Sequence, residues 1–184
     1  MRPVPALVLV LSTAALAIAP GTASAAPSPE SRVHVITAKS DLTIYKPDLV
    51  PPGARAHVFG LTSKAFGTST AVLVTGLLPG REYGAHAHTK PCGATGDLAG
   101  PHYQNIEDPV KPSVDPAYAN PRNEIWLDLT TDSAGRGVAV SKVDWTFAER
   151  RANSIVIHET HTHTDPGHAG TAGARLACVT IGIS

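Results

Sequence analysis

Apolar residues alternate with polar or small ones along several stretches of the chain, the period-two signature of half-buried strands. The alternation runs through "SRVHVITAK" (residues 31–39), "RAHVFGLT" (55–62) and "TAVLVTGL" (70–77), all rich in valine and threonine. "REYGAHAHT" follows a Pro79-Gly80 turn, and "NSIVIHE" and "LACVTIGI" read as two further strands near the C-terminal end. The run "NEIWLDLTTDSAGRGVAVSKVDWTF" predicts a hairpin, with two alternating arms around residues 132–137 and Gly135 and Gly137 supplying turn freedom. No stretch has a convincing helical period, and residues 47–54 are proline-punctuated and read as a loop. The pattern predicts one all-β domain of about eight strands, without tandem repeats.

Two long segments resist strand assignment. Residues 89–122 carry six prolines and three glycines, and residues 159–174 carry three histidines and three glycines. Loops of this length in a compact β domain are usually functional or mobile. Histidines flank both, which favours function.

Composition adds the compartment. The chain opens "MRPVPALVLVLSTAALAIAPGTASAAP", a basic start and an apolar run, then small residues through Ala23-Ser24-Ala25. That order predicts a secretory signal peptide over residues 1–25, leaving residues 26–184 as the mature domain. The alternative is a membrane anchor, but the apolar run is shorter than the roughly 20 residues a span needs. Without Arg2 the mature chain would carry 14 basic residues against 15 acidic ones. This near-neutral balance gives no reason to expect nucleic acid or an anionic membrane as partner. In an exported chain the two cysteines, Cys92 and Cys178, read as one disulfide, the alternative being two buried thiols.

The candidate chemistry lies in nine histidines. His86 and His88 are two apart on a predicted strand, so both imidazoles leave the same face and can converge on one ion. "AGPHYQ" offers His102 from the first long loop, and "IVIHE" offers His158 at the end of an apolar strand. Four imidazoles suit Cu(II), and equally Zn(II) or Ni(II). A lone H-x-H is as readily a pair of ordinary strand histidines. "HETHTHTDP" is not a zincin motif, because Thr162 stands where the second histidine is required.

"GAHAHTKPCG", "AGPHYQ", "IVIHE" and "GHAGTAGARLACVTIGI", in that order, resemble the successive signature segments of secreted copper–zinc superoxide dismutases. The resemblance implies an eight-stranded Greek-key β-barrel or sandwich with two long functional loops. It implies copper ligation by His86, His88, His102 and His158, a Cys92–Cys178 disulfide, and Arg175 as the arginine beside the substrate channel. A fixed guanidinium there would attract and orient an anion. The alternative role for Arg175 is to bind loop carbonyls. The activity implied is superoxide dismutation by Cu(II)/Cu(I) cycling, an oxidoreductase reaction depending on His102 and Arg175.

The chain also departs from that family. Copper–zinc members follow the bridging histidine with two more histidines and an aspartate that bind zinc. Residues 103–122 here read "YQNIEDPVKPSVDPAYANPR", without a histidine. The resemblance is therefore to a copper-only branch, with one copper per chain and no zinc expected. A zinc site would have to be rebuilt from Glu107, Asp108 and Asp115. His102, the counterpart of the bridging ligand, then needs another group to orient its second nitrogen. Glu124 is the first candidate and Asp128 the second.

By the same resemblance Asp165 corresponds to the family's loop aspartate that links ligand histidines, but the usual zinc-side partner for that role is absent here. His161, His163 and His168 read as solvated loop histidines or as an auxiliary metal site. His34 and His57 are assigned no role. The expectation is an exported copper-dependent superoxide dismutase located in the cell envelope or outside the cell. The alternatives are a copper-binding or copper-storage protein of the same fold with little activity, and a barrel with empty histidines. No large apolar patch is evident in the pattern, which leaves the oligomeric state open, with a monomer slightly favoured.

Overall fold

The computed structural model describes residues 32–147 and 149–183; the predicted leader and residues 26–31 lie outside the described residues. The described chain is antiparallel β throughout, with no α-helix and one short 3-10 turn at Gly96–Ala99. Eleven strand segments occur where about eight were expected, and four of them are only two residues long.

One sheet contains five strands in the order β11 (Gly182–Ile183), β1 (His34–Asp41), β3 (Arg55–Ser63), β4 (Gly67–Thr75) and β8 (Gly137–Val143). A second contains β2 (Thr43–Ile44), β10 (Arg175–Thr180), β9 (Ser154–His158) and β6 (Ala85–His88). A small third sheet pairs β5 (Glu82–Tyr83) with β7 (Leu129–Thr130).

The predicted hairpin is corrected by these pairings. Its turn forms, with Asp132 N donating to the Arg136 carbonyl at 2.7 Å. Its arms separate, however: β7 joins β5, and β8 joins β4. The turn is stitched to the neighbouring connection instead, since Leu77 N donates to the Gly135 carbonyl at 3.1 Å. Gly135 has a φ of +70°, and a Cβ there would stand 2.1 Å from the Leu77 carbonyl oxygen. Turn chemistry was readable; strand partnership, a long-range property, was not.

Alternation places the core between the sheets. Ala56 and Val58 of β3 and Val72 and Val74 of β4 pack with Ala85, Ala87, Ile155, Ile157 and Val179. Each large aliphatic chain buried this way contributes roughly 1.5–3 kcal/mol. On the five-stranded sheet the opposite face is open: Phe59, Leu73, Val138 and Val140 are exposed and adjoin across the register. Sequence alternation identifies two faces without saying which is covered, so this apolar patch was missed.

The second sheet behaves differently, because β6 and β9 are buried on both faces. Its outer face carries Val156 and Cys178, packed with Ala99, Tyr45 and Cys92. The first long loop is thus fastened over this sheet, and Cys92 and Cys178 are bonded. His86 and His88 lie beneath that cover.

Candidate metal centre

β6 supplies two imidazoles, and its far edge recruits a third. Tyr103 N donates to the Ala87 carbonyl at 2.8 Å, and Ala87 N donates to the Ile125 carbonyl at 3.1 Å. These bonds bring His88 opposite His102, His86 opposite Trp126, and Gln104 opposite Glu124. β9 lies along the other edge and ends in His158. One ligand nitrogen from each of His86, His88, His102 and His158 falls within 4.8 Å of all the others. This is the only such gathering of metal-ligating side chains among the described residues.

The hydrogen bonds show which nitrogens remain available. His88 Nδ1 donates to the Gly100 carbonyl at 2.9 Å, leaving Nε2. His102 Nδ1 meets Glu124 Oε2 at 2.8 Å, again leaving Nε2. His86 Nε2 meets Thr162 Oγ1 at 2.6 Å, while its Nδ1 is buried without a partner. His158 Nε2 lies 3.3 Å from His88 Nε2, on the side facing the other rings, and its Nδ1 is likewise buried without a partner. An orphaned buried nitrogen is costly in a protein interior. Here it belongs to a set of four imidazoles whose ligand nitrogens lie within 4.8 Å of one another, so the residues fit a metal ion.

Electrostatics favours the neutral, metal-ready form. Burial first, then the neighbouring imidazoles His102 and His158, holds His86 and His88 well below the usual histidine range. Burial, then His102 and Arg175, pulls His158 down to about 3. Protons therefore compete poorly for these nitrogens at neutral pH.

Glu124 is 1% exposed and accepts from three groups: His102, Gln104 Nε2 at 2.8 Å and Trp126 Nε1 at 2.7 Å. Glu124, the first candidate, thus lies in hydrogen-bond contact with His102 Nδ1. Asp128, the second candidate, must be reassigned. Because His86 stands opposite Trp126, Glu124 falls two residues toward His102 and Asp128 two residues the other way. Asp128 accepts from Ala85 N at 3.1 Å and from Thr162.

Arg175 is paired opposite His158, so both side chains leave the same face of the sheet. In a regular strand Arg175 and Cys178, three apart, would face opposite ways. A bulge between Arg175 and Ala177 puts both on the outer face. Arg175 Nη1 donates to the Gly96 carbonyl at 2.8 Å. With Lys111, Glu124, Thr171, His102 and His158 it borders a cavity of about 540 Å³.

The remaining candidates stay apart. His161 Nε2 meets the Leu129 carbonyl at 3.1 Å. His168 and His163 flank Asp165 on the surface, with Nδ1 atoms 2.9 and 3.7 Å from its oxygens. Asp165 therefore links two loop histidines of its own segment and touches none of the four gathered ones. Glu107 pairs with Arg150, Asp108 bonds Ser113 and Val110 N, and Asp115 caps Ala117 N. Sequence reasoning missed Thr162, Gln104 and Trp126. Thr162 sits between His161 and His163, and no local signal marks it.

A largely buried group of four imidazoles able to hold a metal ion, on the outer face of a β-sandwich, defines the class. Solved structures share the fold. A Cu/Zn superoxide dismutase from Brucella abortus superposes with a TM-score of 0.56 at 21% identity, over 78% of this chain and 98% of that one. A double mutant of a SOD-like protein from Bacillus subtilis gives 0.52 at 17% identity, over 80% and 95%. No protein-family model matches the sequence, and no curated protein does. At these identities the likeness concerns architecture: the chain has the Cu/Zn superoxide dismutase fold.

Proposed function

We propose that the chain is an exported, copper-dependent superoxide dismutase that works without zinc. The observation that carries this reading is the convergence of one ligand nitrogen from each of four histidines, within 4.8 Å of one another, beside Arg175 and an open cavity. His86, through Nδ1, and His88, His102 and His158, through Nε2, would hold the copper. Bound copper supplies one-electron chemistry: Cu(II)/Cu(I) cycling oxidises one superoxide to oxygen and, with two protons, reduces another to hydrogen peroxide.

The protein's part is orientation and attraction. Gly100 and Glu124 fix the ring orientations of His88 and His102. Arg175, held by the Gly96 carbonyl, offers a positive charge at the cavity where a small anion enters. The absence of zinc is supported by His102 Nδ1, which is committed to Glu124 instead of a second metal. Export is supported by the leader pattern and by a disulfide, which persists in oxidising compartments.

The alternative, a copper-holding protein with little activity, draws on the breadth of the cavity beside His102, which would also let metal leave. Metal analysis of the secreted chain, followed by superoxide disproportionation assays of wild type and His102→Ala, separates the two. The proposal expects one copper, no zinc, and activity lost in the variant. Tight copper without activity favours the holder. Mass spectrometry of the secreted chain is expected to find its first residue at Ala26.

A further inference from the structure

His88 and His102 each donate directly to a fixed acceptor, but His86 does so through an intermediary. Thr162 Oγ1 lies 2.6 Å from His86 Nε2 and 2.7 Å from Asp128 Oδ1, and Thr162 N donates to Asp128 Oδ2 at 2.7 Å. Across the direct gap, His86 Nε2 and Asp128 Oδ1 are 3.9 Å apart, too far for a hydrogen bond. The threonine hydroxyl spans it.

Proton counting then assigns the tautomer. A hydroxyl has one proton to give, and an ionised carboxylate can only accept. Thr162 gives its proton to Asp128, so its oxygen must accept from His86, whose Nε2 therefore carries hydrogen. The bare lone pair is left on Nδ1, the atom that is buried without a partner. The relay on one side of the ring assigns the tautomer, and the unpartnered Nδ1 on the other side agrees with it.

We propose that Thr162 is a positioning residue: relaying the Asp128 carboxylate, it locks His86 in the Nε2–H tautomer that presents Nδ1 to the metal. The inference rests on the four histidines forming a metal site and deepens that reading. Asp128 secures the relay at both ends, because it also holds Ala85 N, next to His86. Thr162 thereby ties the second long loop to β6, and the histidine-rich run contributes to the site through a threonine.

The test uses the full mature chain. Long-range ¹⁵N–¹H NMR of the metal-free protein reads the tautomer of His86 directly, and Nε2–H is expected. Thr162→Val keeps the shape and removes the hydroxyl. It is expected to abolish the single tautomer, weaken Cu(II) binding about 10–100-fold and shift the Cu(II) EPR spectrum. Thr162→Ser is expected to restore all three. Should Thr162→Val fail to fold, Thr162→Ala replaces it with the same expectations, and the wild-type tautomer needs no variant. Nδ1–H in the wild type, or a hydroxyl-free variant with unchanged affinity and spectrum, overturns the role of Thr162. A wild-type chain that binds no Cu(II) at these histidines overturns the metal reading itself.

Discussion

His102 Nδ1 and Glu124 Oε2 stand 2.8 Å apart, on a carboxylate that also receives the Gln104 amide and the Trp126 indole. A nearly inaccessible carboxylate with three donors is held in one place by its neighbours. Glu124→Ala leaves those donors unpaired, at roughly 1–3 kcal/mol for each buried group. It is expected to weaken copper retention about 10–100-fold, as read by competition with a chelator. Glu124→Gln keeps one acceptor oxygen and is expected to fall between. Unchanged copper affinity in Glu124→Ala would contradict the assignment.

Arg175 makes a different prediction, because it touches a backbone carbonyl and borders the cavity without serving as a ligand. Arg175→Gln should leave copper content intact and lower kcat/KM for superoxide by about tenfold or more. The remaining activity should also depend less on ionic strength, since the charge that salt screens is gone. Arg175→Lys should recover part of the loss. A variant with full activity and the wild-type salt response would exclude the guiding role.

The disulfide spans 86 residues and joins the loop that holds Arg175, through Gly96, to the strand that carries it. Constraint of the unfolded chain by so long a loop contributes roughly 4–5 kcal/mol in the chain-entropy model. Cys92→Ser with Cys178→Ser is expected to lower the thermal midpoint and to reduce activity beyond any loss of copper. Activity per bound copper, measured below the unfolding transition, separates the two effects. Equal activity per copper would show that Arg175 does not rely on the tie.

Acid should destabilise the metal-free protein before its carboxylates titrate. His158 has a folded pKa of about 3 against a usual 6.5, and His86 and His88 are also held well below that value. Between those limits the unfolded chain binds protons that the folded chain refuses, so stability is full above about pH 6.5 and falls as pH drops. Urea midpoints of the metal-free chain at pH 7.5 and pH 5 are expected to decrease, with a shallower decrease in His158→Gln. A flat profile would mean that the imidazoles are not buried and neutral.

The legible part of this molecule was its local chemistry. His86 and His88 share a face because strand side chains alternate, and the structure places them together. Glu124 could be proposed because the resemblance left the second nitrogen of His102 in need of a partner, and it stands 2.8 Å from that atom. Asp128 was paired with the wrong histidine because its role depends on a two-residue offset set by the His86–Trp126 bridge. The common face of Arg175 and Cys178 depends on a bulge, and the separation of β7 from β8 on contacts made elsewhere. Register and partner choice are long-range properties, and Thr162 became visible only once both had been fixed.

Anomalous diffraction from crystals of the secreted, metal-loaded protein, recorded at the copper and zinc absorption edges, tests the central claim most directly. One copper peak is predicted, bonded to His86 Nδ1 and to the Nε2 atoms of His88, His102 and His158, with no zinc peak near His102 Nδ1. A zinc peak beside that nitrogen, or copper bound elsewhere with the four imidazoles turned apart, would contradict it.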